Sequence, residues 1–565
     1  MAVAVEDKIY SCISKKTSFV LDAGAGSGKT WTLVQALNYI IATKSNELRN
    51  NGQKIVCITY TNVAKDEIIE RTERNELIHV STIHDFLWEC IKTFQVELKV
   101  KFLEFLGEKL AKEEEALSKL GPRAIKSREK SEAKITRYKE AIDALKTKTL
   151  KINYDNYSSY KDGKFSHDAL IVIAEKIFAN YPKIRKIITD TYPIIFVDEY
   201  QDTQEKTVTI LLSYLKAKDN FILGFFGDKR QQIYDTGIGE IPPEYGLELI
   251  QKTENFRSST EVIAVLNKIR DDIQQYQPPT NTRRGEALFY HDHIVEDFNA
   301  KNFIGEHLKE RWGIDSAEEV KILYLTHRFI AKENTYEELY QAHSSNTDAL
   351  TKNDDNRGIS PFTDLLFDIE EICSLYDEKR IQQLFKKVSF EMSSFESKKQ
   401  LNALIKRLIE FRKTGKIAEV IKYVFDNNIL VPAEKIKNYD FDDEEKKEFH
   451  DKLMAIDYSQ FMRLYQVQQD STPFSTKHNT KGDEFDNVMV VVDDNAWKQS
   501  YNFDEYFSDN KANEQRYGRT KNIFYVVCSR AKNNLAIVCV STLSAEAINR
   551  IKSWFSAENF IEINP

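Results

Sequence analysis

The chain has 565 residues, 41% of them hydrophobic and 30% charged, with a formal net charge of −8. That length argues against a single hydrophobic core and for about two to four domains in a globular, soluble protein. The net negative charge argues against a protein that coats nucleic acid with its whole surface, while leaving room for a local basic channel. No window is long and apolar enough to cross a bilayer, so no membrane partner is expected. Residues 1–8 lack the basic flank and apolar core of a secretion signal. The six cysteines (Cys12, Cys57, Cys90, Cys373, Cys528 and Cys539) never form a C-x-x-C pair, which argues against a zinc or iron–sulfur site and for a reduced, cytoplasmic setting.

In chain order, the first signal is the apolar run Phe19-Val20-Leu21 followed by Ala23-Gly24-Ala25-Gly26-Ser27-Gly28-Lys29-Thr30. Strand, glycine-rich loop and helix in that order make a phosphate-binding loop. Gly24, Gly26 and Gly28 let backbone N–H groups approach phosphate oxygens. Lys29 can reach the β- and γ-phosphates, and the Thr30 hydroxyl can ligate Mg²⁺. The helix that follows adds its N-terminal dipole. Ala23 stands where the strict pattern opens with Gly, and the alternative reading is a glycine-rich turn that binds nothing.

Apolar runs at 18–21, Ile55–Thr59, 194–197 and 221–226 alternate with helical patterns, which predicts a mostly parallel sheet with phosphate chemistry at its strand C-termini. Residues 89–150 differ: they are Lys/Glu-rich and helical in pattern, with a break at Gly121-Pro122. Residues 121–151 hold ten Lys/Arg against four Asp/Glu. They read either as a solvated helical insert with i,i+4 ion pairs or as a phosphate-contacting face. The run Ile194-Ile195-Phe196-Val197 ends in Asp198 and Glu199. Asp198 is placed to hold Mg²⁺ and Glu199 to polarise an attacking water.

The second half repeats the pattern, with strand-like runs at 320–326, 488–492 and 535–540. Between them lies a helix-rich stretch, 327–459, with helices expected at 363–377 and 398–412 and an acidic segment at 439–448. There is no Pro-rich linker, low-complexity tract or fixed-period repeat. The expected organisation is two α/β cores with parallel sheets, each carrying a largely helical insertion. The first core takes 1–90 and 176–265 around an insertion at 91–175. The second takes 266–330 and 461–565 around a reduced insertion at 331–460.

Further motifs occur in order: Thr59-Tyr60-Thr61-Asn62, Val80-Ser81-Thr82-Ile83-His84-Asp85-Phe86, Val197-Asp198-Glu199-Tyr200-Gln201-Asp202 and Gly227-Asp228-Lys229-Arg230-Gln231-Gln232-Ile233-Tyr234. They continue with Asn255-Phe256-Arg257-Ser258-Ser259, Thr476-Lys477-His478-Asn479-Thr480-Lys481-Gly482-Asp483-Glu484-Phe485 and Phe524-Tyr525-Val526-Val527-Cys528-Ser529-Arg530-Ala531. Together they resemble the motifs of superfamily 1 helicases of the UvrD/Rep/PcrA group, over most of both cores.

The resemblance implies two RecA-like P-loop NTPase cores, ATP and Mg²⁺ as cofactors, and 3′→5′ movement on single-stranded or tailed DNA. It implies that Gln231 senses the γ-phosphate and that Arg257 and Arg530 reach it across the cleft between the cores. An arginine in that role is worth about 10³–10⁵ in rate in other phosphoryl-transfer enzymes. Gly482 and Glu484 would lie at the nucleotide, Glu484 accepting from a ribose hydroxyl. Trp31 and Phe256 would sandwich the adenine, with core packing as the alternative for both. Thr61, Asn62, His84, Tyr234 and His478 would lie along the DNA strand.

The departures are local. Trp31 replaces the family's usual arginine, and no Gln precedes the phosphate loop to read adenine, which leaves base selectivity open. After Tyr234 the chain continues Asp235-Thr236-Gly237-Ile238-Gly239 in place of an aromatic and Arg-Gly-Ala. A stacked base contributes ~1–3 kcal/mol in other proteins, so a weaker strand grip is expected. A second expectation follows: a helicase-like ATPase that senses DNA or nucleotides and regulates a nuclease partner. Compact UvrD-like subunits of anti-phage defence systems such as Gabija resemble this chain in scale and in their simplified inserts. A non-enzymatic DNA-binding scaffold conflicts with Lys29, Asp198, Glu199, Arg257 and Arg530. No second constellation of carboxylates and lysine supports a nuclease within the chain.

Overall fold

The computed structural model describes residues 4–59, 62–121, 125–155, 158–216, 221–232, 237–292, 298–324, 331, 335–344, 350, 359–391, 393–468, 474–476, 483–494 and 501–563. The chain forms two compact units. One is Met1–Arg283 with Lys521–Ser529, and the other is Arg284–Thr520 with Arg530–Pro565.

The first unit contains β1 (Phe19–Ala23), β2 (Ile55–Thr59), β3 (Ile78–Thr82), β4 (Asn153–Tyr154), β5 (Lys164–Phe165), β6 (Ile194–Asp198), β7 (Ile222–Gly227) and β8 (Glu248–Lys252). Six of these make one sheet in the order β3-β2-β6-β7-β1-β8, with every pairing parallel. The inner strands β1, β2, β6 and β7 are buried along their whole length. That is why they read as unbroken apolar runs rather than as alternating ones. The register places Asp22 opposite Gly227 and Asp198 opposite Phe226, so β1, β7 and β6 end level and their following loops meet.

The insertion expected from 91 on is a helical hairpin, Gln95–Lys119 and Ile125–Thr147. One face buries Phe102, Phe105, Leu106, Ala141 and Leu145 with residues of the helix His167–Asn180. Its charges pair partly between the helices: Lys134 with Glu113 at 3.4 Å and Lys139 with Glu114 at 3.0 Å. An i,i+4 pair, Lys119–Glu115, is also present at 2.7 Å.

The second unit contains β9 (Ala287–Asp292), β10 (Val320–Tyr324), β11 (Phe474–Thr476), β12 (Phe485–Val492), β13 (Ala531–Cys539) and β14 (Phe560–Ile563). Its sheet is also parallel, in the order β11-β10-β12-β13-β9-β14. A helical insertion lies between β10 and β11, including Pro361–Asp377, Phe395–Phe411, Ile417–Asp426, Glu444–Ala455 and Tyr458–Gln468. Its core holds a buried ion pair, Arg412 Nη1 to Glu370 Oε2 at 2.7 Å. The acidic segment has a local cause. Asp443 caps the helix Glu444–Ala455 by accepting from the amides of Glu445 and Lys446, and Glu444 and Glu445 fill its first turn. Among the described residues no helix is long and apolar enough to cross a membrane.

Candidate nucleotide-binding site

β1 delivers the chain to residues 24–28, and the helix Lys29–Asn50 leaves it. Gly26 and Gly28 take φ of 73° and 78°, the left-handed region that costs glycine nothing. Gly28 is the N-cap residue of the helix. A Cβ at Gly26 would lie 2.6 Å from Asn255 Oδ1 and 2.7 Å from Arg257 Cβ, so this position needs glycine on two counts. The loop is pinned from one side. Ala25 O accepts from Asn255 Nδ2 at 3.1 Å and Gln275 Nε2 at 2.9 Å, and Gly26 O accepts from Phe256 N at 2.9 Å.

Ala23, Gly24, Ala25 and Ser27 are buried, while Gly26, Gly28, Lys29 and Thr30 are half-buried. The Ser27 hydroxyl is buried with no hydrogen-bond partner among the described residues. Two left-handed glycines, a helix N-terminus, an unsatisfied hydroxyl and Lys29 fit a phosphate chain. The Thr30 hydroxyl and the Asp198 carboxylate are the oxygen donors suited to Mg²⁺.

Beyond β6, Glu199 adopts φ 50° and ψ 46°, a conformation that costs a non-glycine residue of order 1–3 kcal/mol. This turn brings its Oε2 3.5 Å from Lys29 Nζ. Gln201 donates its Nε2 to the same carboxylate and accepts the Asp228 amide on Oε1 at 3.2 Å. Asp198 is 5% exposed at the strand end. Gln231, after β7, is buried and donates from Nε2 to Asp228 Oδ2 at 3.1 Å. Arg257 donates from Nη1 to the Ser529 carbonyl at 3.2 Å. Lys29, Asp198, Glu199, Gln231 and Arg257 all belong to the first unit.

Residues 6–236, which carry the loop, both carboxylates and Gln231, match the UvrD/REP helicase N-terminal domain. This part of the chain is similar to the UvrD/REP helicase family. Across 97% of its length the chain is 29% identical to the Gabija protein GajB of Bacillus cereus (strain HuB5-5), covering 96% of that protein. It is 26% identical over 54% of its length to the ATP-dependent DNA helicase PcrA of Staphylococcus aureus (strain NCTC 8325 / PS 47), covering 45% of that protein. The PcrA of Staphylococcus epidermidis is 25% identical over the same shares. The two parallel sheets agree with the two RecA-like cores of a UvrD-like helicase.

Beside the phosphate loop of this UvrD/REP domain, Trp31 and Phe256 are 51% and 44% exposed, so neither is a core residue. Lys252 Nζ lies 5.7 Å from the Trp31 ring centre and 6.0 Å from that of Phe256. Lys252 is itself buried, paired with Glu6 Oε1 at 2.7 Å and bonded to Thr32 Oγ1 at 3.0 Å. Burial acts to raise the Glu6 carboxyl, but the hydrogen bond and charge of Lys252 bring it below the ordinary carboxylate value.

The expected DNA residues are less completely placed. Thr61, Tyr234 and His478 lie outside the described residues, as does Gly482 of the nucleotide set, and Asn62 is described only as the first residue of the helix Asn62–Arg71. His84 is half-buried in the first turn of the helix Ile83–Ile91, its ring edge-on to His167 at 4.6 Å. In the second unit, Glu484 is exposed, and Arg530 is 2% exposed with Nη1 donating to the Asp483 carbonyl at 3.5 Å.

Sequence reasoning missed the residues that brace the UvrD-like site. Arg270, Gln275, Glu6 and Lys252 lie outside the motifs. Asp228 and Tyr525 lie inside them with no role assigned. The one signal for Arg270 was the charge run Arg270-Asp271-Asp272 after an apolar helix. Asp22 was missed as well. Burial, with Asp228 beside it, pushes its carboxyl up to about 6.

Proposed function

We propose that the chain is an ATPase that couples hydrolysis to 3′→5′ movement on single-stranded DNA. The observation that carries this reading is the approach of Lys29 to Glu199 between the phosphate loop and β6, inside a UvrD/REP domain. In this reading Lys29 leaves Glu199 for the β- and γ-phosphates, and Glu199 is released to orient and polarise the attacking water. Ser27 and the loop amides bind phosphate oxygens, and Gln231 faces the γ-phosphate. Mg²⁺ held by Thr30 and Asp198 would neutralise phosphate charge. Arg257 and Arg530 supply positive charge to the transition state, and Trp31 and Phe256 hold the base. Thr61, Asn62, His84, Tyr234 and His478 are assigned to the DNA strand, and Gly482 and Glu484 to the nucleotide. The test is ATP hydrolysis with and without single-stranded DNA, followed by strand displacement on a 3′-tailed duplex. DNA-stimulated hydrolysis with displacement supports a motor. Hydrolysis without displacement removes the helicase step.

The likeness to GajB over nearly the full length favours a second reading, in which the same ATPase regulates a nuclease partner in a Gabija-type antiviral system. Co-expression with a nuclease encoded alongside should give one stable complex by light scattering. Two separate species would count against it.

A further inference from the structure

The Tyr525 side chain is wholly buried in the first unit, although its position in the chain is close to the C-terminus. Its hydroxyl accepts the Ala25 amide at 3.0 Å and Arg270 Nη1 at 2.7 Å, and donates to Asp228 Oδ2 at 3.1 Å. A phenol offers one donor and two acceptor positions, and all three are used. Burial holds the phenol far above its ordinary pKa, so it stays neutral and keeps its proton for Asp228. Arg270 lies 5.1 Å over the ring and anchors itself on Asp272 Oδ1 at 2.9 Å and Asp228 Oδ1 at 3.5 Å. Asp228 Oδ2 then carries Gln231 Nε2 at 3.1 Å. The hydroxyl is therefore the shared atom between the phosphate loop and the side chain placed to meet the γ-phosphate.

We propose that Tyr525 is a positioning residue whose hydroxyl couples the phosphate loop to Gln231 through Asp228. It touches no substrate. It fixes the distance between the base of the loop and Gln231, so that a nucleotide bound on one is presented correctly to the other. Ring packing alone would be served equally by phenylalanine, and what phenylalanine cannot do is satisfy Ala25 N–H, Arg270 and Asp228 together. This inference rests on the ATPase reading.

The test is a double-mutant cycle on the full chain, with kcat and KM for ATP measured in wild type, Tyr525→Phe, Gln231→Ala and the double variant. Tyr525→Phe should lower kcat roughly tenfold, and the double variant should be no slower than Gln231→Ala alone. Independent effects that multiply in the double variant overturn the coupling while leaving the ATPase reading intact. A wild-type protein with no ATP hydrolysis fails that reading and this inference with it. Should Tyr525→Phe fail to fold, Asp228→Asn, which keeps the side-chain size, repeats the cycle from the other end of the link with the same two outcomes.

Discussion

The Lys29 ammonium lies 3.5 Å from the Glu199 carboxylate, with both side chains largely sheltered from solvent. In the proposed ATPase reading, each occupies the other until a nucleotide separates them. Glu199→Gln keeps the shape and removes the base. It should cut kcat by about 10²–10⁴ with little change in KM, because general-base contributions are of that size. Lys29→Ala should lower kcat/KM at least as far. Steady-state hydrolysis by the purified variants checks both, and wild-type-like turnover by either would remove the site assignment.

Trp31 and Phe256 are exposed, and the buried Lys252, paired with Glu6, lies 5.7 Å and 6.0 Å from their ring centres, an arrangement suited to a flat ring with a polar edge. Base–aromatic stacking is worth about 1–3 kcal/mol per base. Trp31→Ala and Phe256→Ala should each raise the KM for ATP by about 5- to 150-fold and leave kcat near wild type. The same KM for ATP and for inorganic triphosphate in wild type would show that no base is held there.

The fold was legible where burial is two-sided. β1, β2, β6 and β7 and the C-terminal halves of β12 and β13 carry apolar runs because the chain is buried along those stretches, and β10 carries one interrupted only by Lys321. The edge strands β3, β8, β11 and β14 were not anticipated, and neither was the inner strand β9. β8, for example, buries only Ile250 and Lys252 of its five residues, so it carries no apolar run. Lys29, Asp198 and Glu199 were legible as candidates because local sequence marks them: Lys29 opens the helix after the glycine-rich loop, and Asp198 and Glu199 follow the apolar run of β6. The braces were not. Tyr525 lies 500 residues beyond Ala25, and Lys252 lies 246 beyond Glu6, so no local pattern announces either pairing.

The positive charges of the helix Ile125–Thr147 and the residues just after it fall into two groups. Lys134 and Lys139 are engaged by Glu113 and Glu114, whereas Arg137, Lys146 and Lys148 in and just after the helix are exposed. If this face meets DNA phosphates, replacing all three by alanine should lower affinity for every sequence alike. It should also reduce the slope of log K against log salt by about 0.7 for each single-strand phosphate no longer neutralised. A salt slope unchanged by the triple substitution would leave these residues as a solvated surface.

Asp22 sits directly before the phosphate loop, 3% exposed, and its Oδ1 has no hydrogen-bond partner among the described residues. Burial first, and the neighbouring Asp228 second, raise its carboxyl from 3.8 to about 6. The folded chain therefore holds this proton more tightly than the unfolded chain, so stability is fully present below about pH 4. It is lost as pH rises through about 6, where the folded state must accept a buried charge. Asp22→Asn removes that charge and should stabilise the first unit at pH 8 by up to about 3 kcal/mol, the gain shrinking toward pH 4.5. Urea midpoints of wild type and variant at the two pH values measure the difference. A gap of equal size at both would mean that Asp22 ionises in the folded chain as it does in the unfolded one, and that the buried carboxyl beside the phosphate loop carries no stored proton.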